Sequence, residues 1–167
     1  MGKDRVEMLV ASLEGTVKAT LAAAGNVPED KRLRQLQDGK AHPLWQVGHL
    51  AFALDMIVNT IALGGAPELP GEYVPKFAPD LAGGKPITGN AEDYPAWDEV
   101  VANYEKAAKT SAAKIRELDD SDLSGGIKGS APEGLEEFFK ILGVTLGSMA
   151  AHDSYHRGQM NLVAALD

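Results

Sequence analysis

The chain has 167 residues, 16 Lys plus Arg against 24 Asp plus Glu, a formal net charge of -8 and no cysteine. That length suits one domain, 1–167, with its own core, and 44% hydrophobic with 24% charged residues is the balance of a globular fold. Zero cysteine excludes disulfides, thiolate metal ligands and a cysteine nucleophile, while the acidic excess opposes binding to nucleic acid and to anionic membrane surfaces.

The first residues carry Lys3, Asp4, Arg5 and Glu7, which interrupt any signal-peptide apolar core, and no stretch approaches ~18 consecutive apolar residues. The expectation is a cytoplasmic protein. Val6, Leu9, Val10, Leu13, Val17 and Leu21 recur at steps of three and four, which predicts a first helix ending near Gly25-Asn26. Pro43 opens a second, whose stripe of Leu44, Val47, Leu50, Leu54, Ile57, Val58 and Ile61 runs to Gly64-Gly65. A third follows Pro95, from Trp97 through Val100, Tyr104, Ala108, Ser111 and Ile115 to Leu118.

The fourth is expected to begin at Pro132 or Glu133, where Ser130 and Glu133 have capping-box spacing, and to run through Phe138, Phe139, Leu142, Leu146 and Met149 to Leu166. Nothing alternates as a strand would. Four amphipathic helices must bury their stripes against one another, so the expected fold is all-α, a four-helix bundle with long inter-helix connections. Residues 26–42 and 65–93 are those connections. They either cap one end of the bundle or cross its surface without touching a ligand.

His152 and His156 lie four residues apart on the last helix, about 40° around its axis and about 6 Å along it, so both imidazoles can reach one ion. His49 shares its helix face with Trp45, Phe52, Met56 and Thr60, and therefore points inward. Three inward imidazoles repel one another when protonated, whereas a bound cation satisfies all three in their neutral form. The alternative is that each is a core histidine bonded to a carbonyl. His42, ahead of Pro43, reads as an N-cap or pocket-rim residue and not a fourth ligand. Gly83-Gly84-Lys85 leads into Pro86 and forms no P-loop, and neither a G-x-S-x-G elbow nor an H-E-x-x-H motif occurs.

The segment His42-Pro43-Leu44-Trp45-Gln46-Val47-Gly48-His49-Leu50-Ala51, followed by His152-Asp153-Ser154-Tyr155-His156-Arg157-Gly158-Gln159, resembles the DinB-like superfamily. Val27-Pro28-Glu29-Asp30 and Tyr94-Pro95 are also similar, so the resemblance spans almost the whole chain. It implies a four-helix bundle, often a homodimer, with a divalent ion, zinc or nickel, held by His49, His152 and His156. Relatives include thiol-dependent transferases and isomerases that use small cellular thiols.

Three imidazoles leave a tetrahedral ion with an open position, the arrangement of a catalytic zinc site, which suits hydrolysis or thiol transfer on a small molecule. Lacking cysteine, the chain must take any thiol, such as a low-molecular-weight cosubstrate, from outside. Asp153, Gln159 and Asn59 are candidates to orient the ligands, and Tyr155 and Tyr104 are candidate acids or hydrogen-bond donors, with a core role as the alternative for each tyrosine. Asp153 and Arg157 have in addition the spacing of an exposed helix ion pair. Gly143, Gly147 and Gly158 weaken a helix and point to close approach of another one, in this chain or in a second subunit. The rival functional readings are a non-catalytic metal-binding bundle for sensing, storage or docking, and a fold with no metal at all.

Overall fold

A computed structural model describes residues 2–167, and among them there is helix, turn and loop but no strand. Five helices make the frame: α1 (Asp4–Gly25), α2 (Pro43–Ala53), α3 (Tyr73–Phe77), α4 (Trp97–Arg116) and α5 (Leu142–Ala165). α2 continues without a break as a π-helix over Leu54–Ala62. α1 packs against α4 and α5, and α2 packs against the same two. The stripes read from the sequence meet there: Val6, Val10, Leu13, Val47, Leu50, Val58, Val100, Ile115, Leu142 and Met160 are all buried.

Helix ends are secured by groups far away in sequence. Asp120 Oδ1 accepts from the Val6 amide at 2.9 Å at the start of α1, and Lys3 Nζ donates to the Arg116 carbonyl at 2.7 Å at the end of α4. Both contacts place charge where the helix dipole favours it. α2 begins as the sequence indicates: Pro43 is its first residue and His42 its N-cap, with Nδ1 accepting from the Trp45 amide at 3.1 Å. The π-helix stops at Gly64, which adopts φ +70°.

The last helix departs from expectation. It starts at Leu142, about ten residues later than the Ser130–Glu133 spacing suggests, and residues 132–140 form successive turns. Gly134 sits in the left-handed region at φ +80°, which no continuing α-helix allows. Only Phe139 of the adjoining phenylalanine pair is buried, while Phe138 stays exposed, so both cannot belong to one core-facing stripe.

The connection from 63 to 96 is a built part of the core. Tyr73 and Phe77 of α3 are fully buried against α2, and Asp55 clasps the strand of chain before them by accepting from the Glu68 amide at 2.9 Å and the Leu69 amide at 2.9 Å. Gly48 is the reason α3 can come so close, because a Cβ there would stand 2.2 Å from the Phe77 ring. The other connection, 26–42, is pinned to the C-terminus, where Arg34 donates to the carbonyls of Leu166 at 3.1 Å and Asp167 at 2.7 Å.

Candidate metal centre

The N-cap on α2 fixes the phase of that helix and so the direction of His49, seven residues on. Trp45, one turn before it, stacks on the His49 ring at 4.6 Å with planes 8° apart. On its other side His49 Nδ1 lies 2.9 Å from the Phe77 carbonyl of α3. A carbonyl only accepts, so Nδ1 carries the proton and Nε2 keeps a lone pair. That lone pair faces α5, where His49 Nε2 is 3.2 Å from His152 Nε2, and His152 Nε2 is in turn 3.2 Å from His156 Nε2.

All three ligand atoms lie within 4.8 Å of one another. Tetrahedral nitrogens at the usual zinc distance of about 2.0–2.1 Å stand about 3.3–3.4 Å apart, so the spacing suits one ion. It suits the metal-free protein poorly, since with a lone pair on His49 Nε2 the one proton that His152 Nε2 can carry has to serve both 3.2 Å contacts. The Nδ1 atoms of His152 and His156 are buried without a hydrogen-bond partner, and an ion held on Nε2 would leave both of them so.

Burial holds these rings neutral. It lowers the His49 pKa to about 4 against the pull of the Phe77 carbonyl, and lowers that of His156 to about 3, with His49 and His152 adding repulsion. His152 is pushed down for the same reason, partly offset by Asp153. Neutral imidazoles are the ligand form. His49 and His156 are each 8% exposed, and His152 is the most open of the three.

The remaining candidates divide. Gln159 lies beside His156, with its Oε1 accepting from Gln46 Nε2 of α2 at 3.5 Å. Tyr155 is 63% exposed, its ring edge-on to His156 at 5.1 Å. Asp153 turns away from the imidazoles to the junction with α1 and α4, accepting from the hydroxyls of Thr20 and Tyr104. It makes no ion pair with Arg157, which donates instead to the Thr16 carbonyl at 3.3 Å. Burial raises the pKa of both Asp153 and Tyr104. Asn59 donates to Asp55 and the Ala66 carbonyl and accepts from Lys114, serving the clasp on the 63–72 segment.

His42 is spent on structure: besides capping α2, its Nε2 meets the Thr88 carbonyl at 3.0 Å. Of the glycines, Gly143 is crowded by the Leu123 backbone, Gly147 meets only Leu9, and Gly158 has open space around it. Sequence reasoning missed Phe77, which contributes a backbone carbonyl, and Thr20, which gives Asp153 a partner. Neither carries a side-chain signature for its role.

An all-helical chain that gathers three neutral imidazoles from two helices defines a class: a helical protein with a preformed nitrogen-donor site able to hold a divalent ion. The family description of the DinB superfamily matches residues 12–160, and the chain belongs to that superfamily. The matched range contains His49, His152 and His156. No curated protein and no solved structure gives a match.

Proposed function

We propose that this chain is a single-domain four-helix bundle of the DinB superfamily that binds one divalent ion, zinc or nickel, through His49, His152 and His156, and acts as a metal-dependent enzyme on a small molecule. The observation that carries the proposal is the convergence of three imidazole nitrogens, His152 Nε2 standing 3.2 Å from Nε2 of both His49 and His156 and all three within 4.8 Å, with the His49 tautomer already set by Phe77. Held by these three imidazoles, such an ion would supply Lewis-acid chemistry, which would activate a nucleophile, either water for hydrolysis or an external thiol for transfer.

The chain's own residues prepare that chemistry. Phe77 holds the His49 proton on Nδ1, Trp45 covers one face of the ring against water, and Gln159, anchored by Gln46, keeps its amide beside His156. The open side at His152 is where a substrate enters. The acidic charge and the helical scaffold fit a cytoplasmic protein whose partner is a small molecule, not nucleic acid or a membrane.

A second reading, metal binding without turnover, draws on the low exposure of His49 and His156, which leaves little imidazole surface for a substrate. Elemental analysis of protein prepared without an affinity tag is expected to find about one ion per chain, falling below roughly a tenth in His49→Ala and in His152→Ala. Occupancy unchanged by both substitutions would refute the site. Metal-dependent turnover of electrophiles with a panel of small thiols, or of hydrolysable esters and amides, separates the enzyme from the binder.

A further inference from the structure

The side of α4 that faces the π-helix is polar at the spacing of a core stripe. Asn103, Lys106, Ala107, Thr110 and Ser111 stand at i, i+3, i+4, i+7 and i+8, the recurrence by which a helix ordinarily buries apolar side chains. Between them and an opposite wall made by Asp55 and Asn59 of the π-helix, with Leu69 and Pro70 of the 63–72 segment, lies a cavity of about 160 Å³. None of the three inward histidines borders it.

The polar groups of the opposite wall are already engaged. The Asp55 carboxylate accepts from the Asn59 amide at 3.1 Å and from the backbone amides of Glu68 and Leu69 at 2.9 Å each. Glu68 is paired with Lys114, and Lys114 also donates to Asn59 Oδ1. The α4 wall is the reverse. Among the described residues, Lys106 makes no ion pair, and the hydroxyls of Thr110 and Ser111 make no hydrogen bond. Ser111 is only 2% exposed, and a hydroxyl buried that far without a partner is rare. Asn103 donates from Nδ2 to the Tyr73 hydroxyl at 2.7 Å, which leaves its Oδ1 free to accept.

The π-helix is an independent sign. Such helices are rare and are found mainly at functional sites; this one spans nine residues, Leu54–Ala62, and supplies both Asp55 and Asn59. Gly65 lets the covering segment come close, because a Cβ there would overlap Asn59 Oδ1.

We propose that this cavity is a binding site for a small hydroxy monocarboxylate of roughly two to four carbons. The Lys106 ammonium and the hydroxyls of Thr110 and Ser111 supply the charge and the donors that a carboxylate takes up. Asn103 Oδ1 accepts from the ligand's hydroxyl, and Leu69, Pro70 and Ala107 give its carbons an apolar side. The spare charge is positive. With Asp55 and Glu68 both engaged, the ammonium group of an amino acid finds no counter-ion here. Size agrees as well, since a cavity of about 150 Å³ holds a molecule as large as benzene, with about six non-hydrogen atoms.

Calorimetric titration of the full chain with lactate, as both enantiomers, and with glycerate is the test. A dissociation constant of about 1 mM or below is expected, and glycerol, similar in size but uncharged, should bind at least about ten-fold more weakly. Lys106→Met keeps the stem and removes the charge, so it should weaken lactate binding about ten-fold or more; Ser111→Ala should weaken it about three-fold or more. Both variants should retain helicity and thermal transition, because Lys106 is exposed and alanine suits a helix. His152→Ala should bind lactate as the wild type does, which separates this cavity from a carboxylate held by an ion at the histidines. Amide NMR shifts should centre on Leu69, Lys106 and Ser111. The proposal is overturned by neither heat nor shifts up to about 50 mM of either acid, by glycerol binding equally well, or by phosphate binding more tightly than both acids. Binding that neither α4 substitution weakens, or that His152→Ala abolishes, overturns it too.

Discussion

His49 Nδ1 and the Phe77 carbonyl, 2.9 Å apart, join residues separated by 28 positions in the chain and decide which nitrogen of His49 faces the other two histidines. With the proton held on Nδ1, the Nε2 lone pair is directed at α5 before any ion arrives. The site is therefore preorganised, and its integrity depends on α3, a five-residue helix lying outside the four long ones.

Gly48→Ala tests that dependence. The added Cβ would fall 2.2 Å from a fully buried Phe77 ring, so α3 must be displaced or the ring must leave its place. Overpacking of this kind costs about 1–3 kcal/mol, which denaturant unfolding should detect. Moving α3 also takes the carbonyl away from His49, and loss of such an orienting contact typically weakens metal binding by about ten- to a hundred-fold. Stability and affinity, measured by unfolding and by competition with a coloured chelator, should fall together. A loss of stability with full affinity would show that Phe77 does not orient the ligand.

Because the three nitrogens already converge, metal should stabilise a folded chain and not create one. Ligand present at a thousand times its dissociation constant adds about 4 kcal/mol, or roughly 10 °C in Tm for a chain of this size. Far-UV circular dichroism should be nearly the same with zinc and with chelator, while Tm rises with zinc in the wild type and not in His152→Ala. Helicity that collapses on chelation would place this chain with metal-folded domains instead.

How much of this was legible in the sequence varies with the kind of interaction. α1, α2 and α4 announce themselves because each buries a long stripe at helical spacing, and the inward histidines could be read from the same stripes. α3 could not, since its two buried aromatics, Tyr73 and Phe77, sit in five residues among Gly and Pro, too short to show a period. Its contribution to the site is a main-chain carbonyl, which every residue possesses. The π-helix escaped because Leu54, Ile57, Val58 and Ile61 satisfy α-helical spacing equally well. The late start of α5 escaped because the phenylalanine pair extends the apolar pattern back toward the Ser130–Glu133 capping-box spacing.

The role of Asp153 illustrates the same limit. Four residues before Arg157, it has the spacing of a surface ion pair, a rule that considers one helix alone. Its actual partners, Thr20 and Tyr104, come from α1 and α4. Asp153→Ala should therefore act on stability, by about 1–3 kcal/mol or more for the buried hydroxyls left unpaired, and change metal affinity by no more than a few-fold. Tyr104→Phe should cost less, and a double-mutant cycle between the two should show coupling above about 0.5 kcal/mol. A large fall in metal affinity with unchanged stability would return Asp153 to the ligand-orienting role.

His42 provides the pH prediction, because it can be separated from the three candidate ligands. Burial lowers its pKa from the ordinary 6.5 to about 4, with the Thr88 carbonyl pulling the other way. Between those values the unfolded chain binds a proton that the folded chain does not, so stability rises with pH across that window. The contribution is complete above about pH 6.5, is lost as the pH falls toward 4, and changes no further below that. For a shift of this size the loss is on the order of 3 kcal/mol. His42→Asn keeps an N-capping side chain but cannot titrate. Denaturant unfolding of metal-free protein at closely spaced pH values should give a steeper slope for the wild type than for the variant from pH 6.5 down to about 4. The other three histidines are common to both proteins and cancel in the difference. Parallel slopes would mean that His42 is protonated as readily in the folded chain as in the unfolded one, and that giving up the N-cap contact, which a protonated Nδ1 cannot accept, costs little.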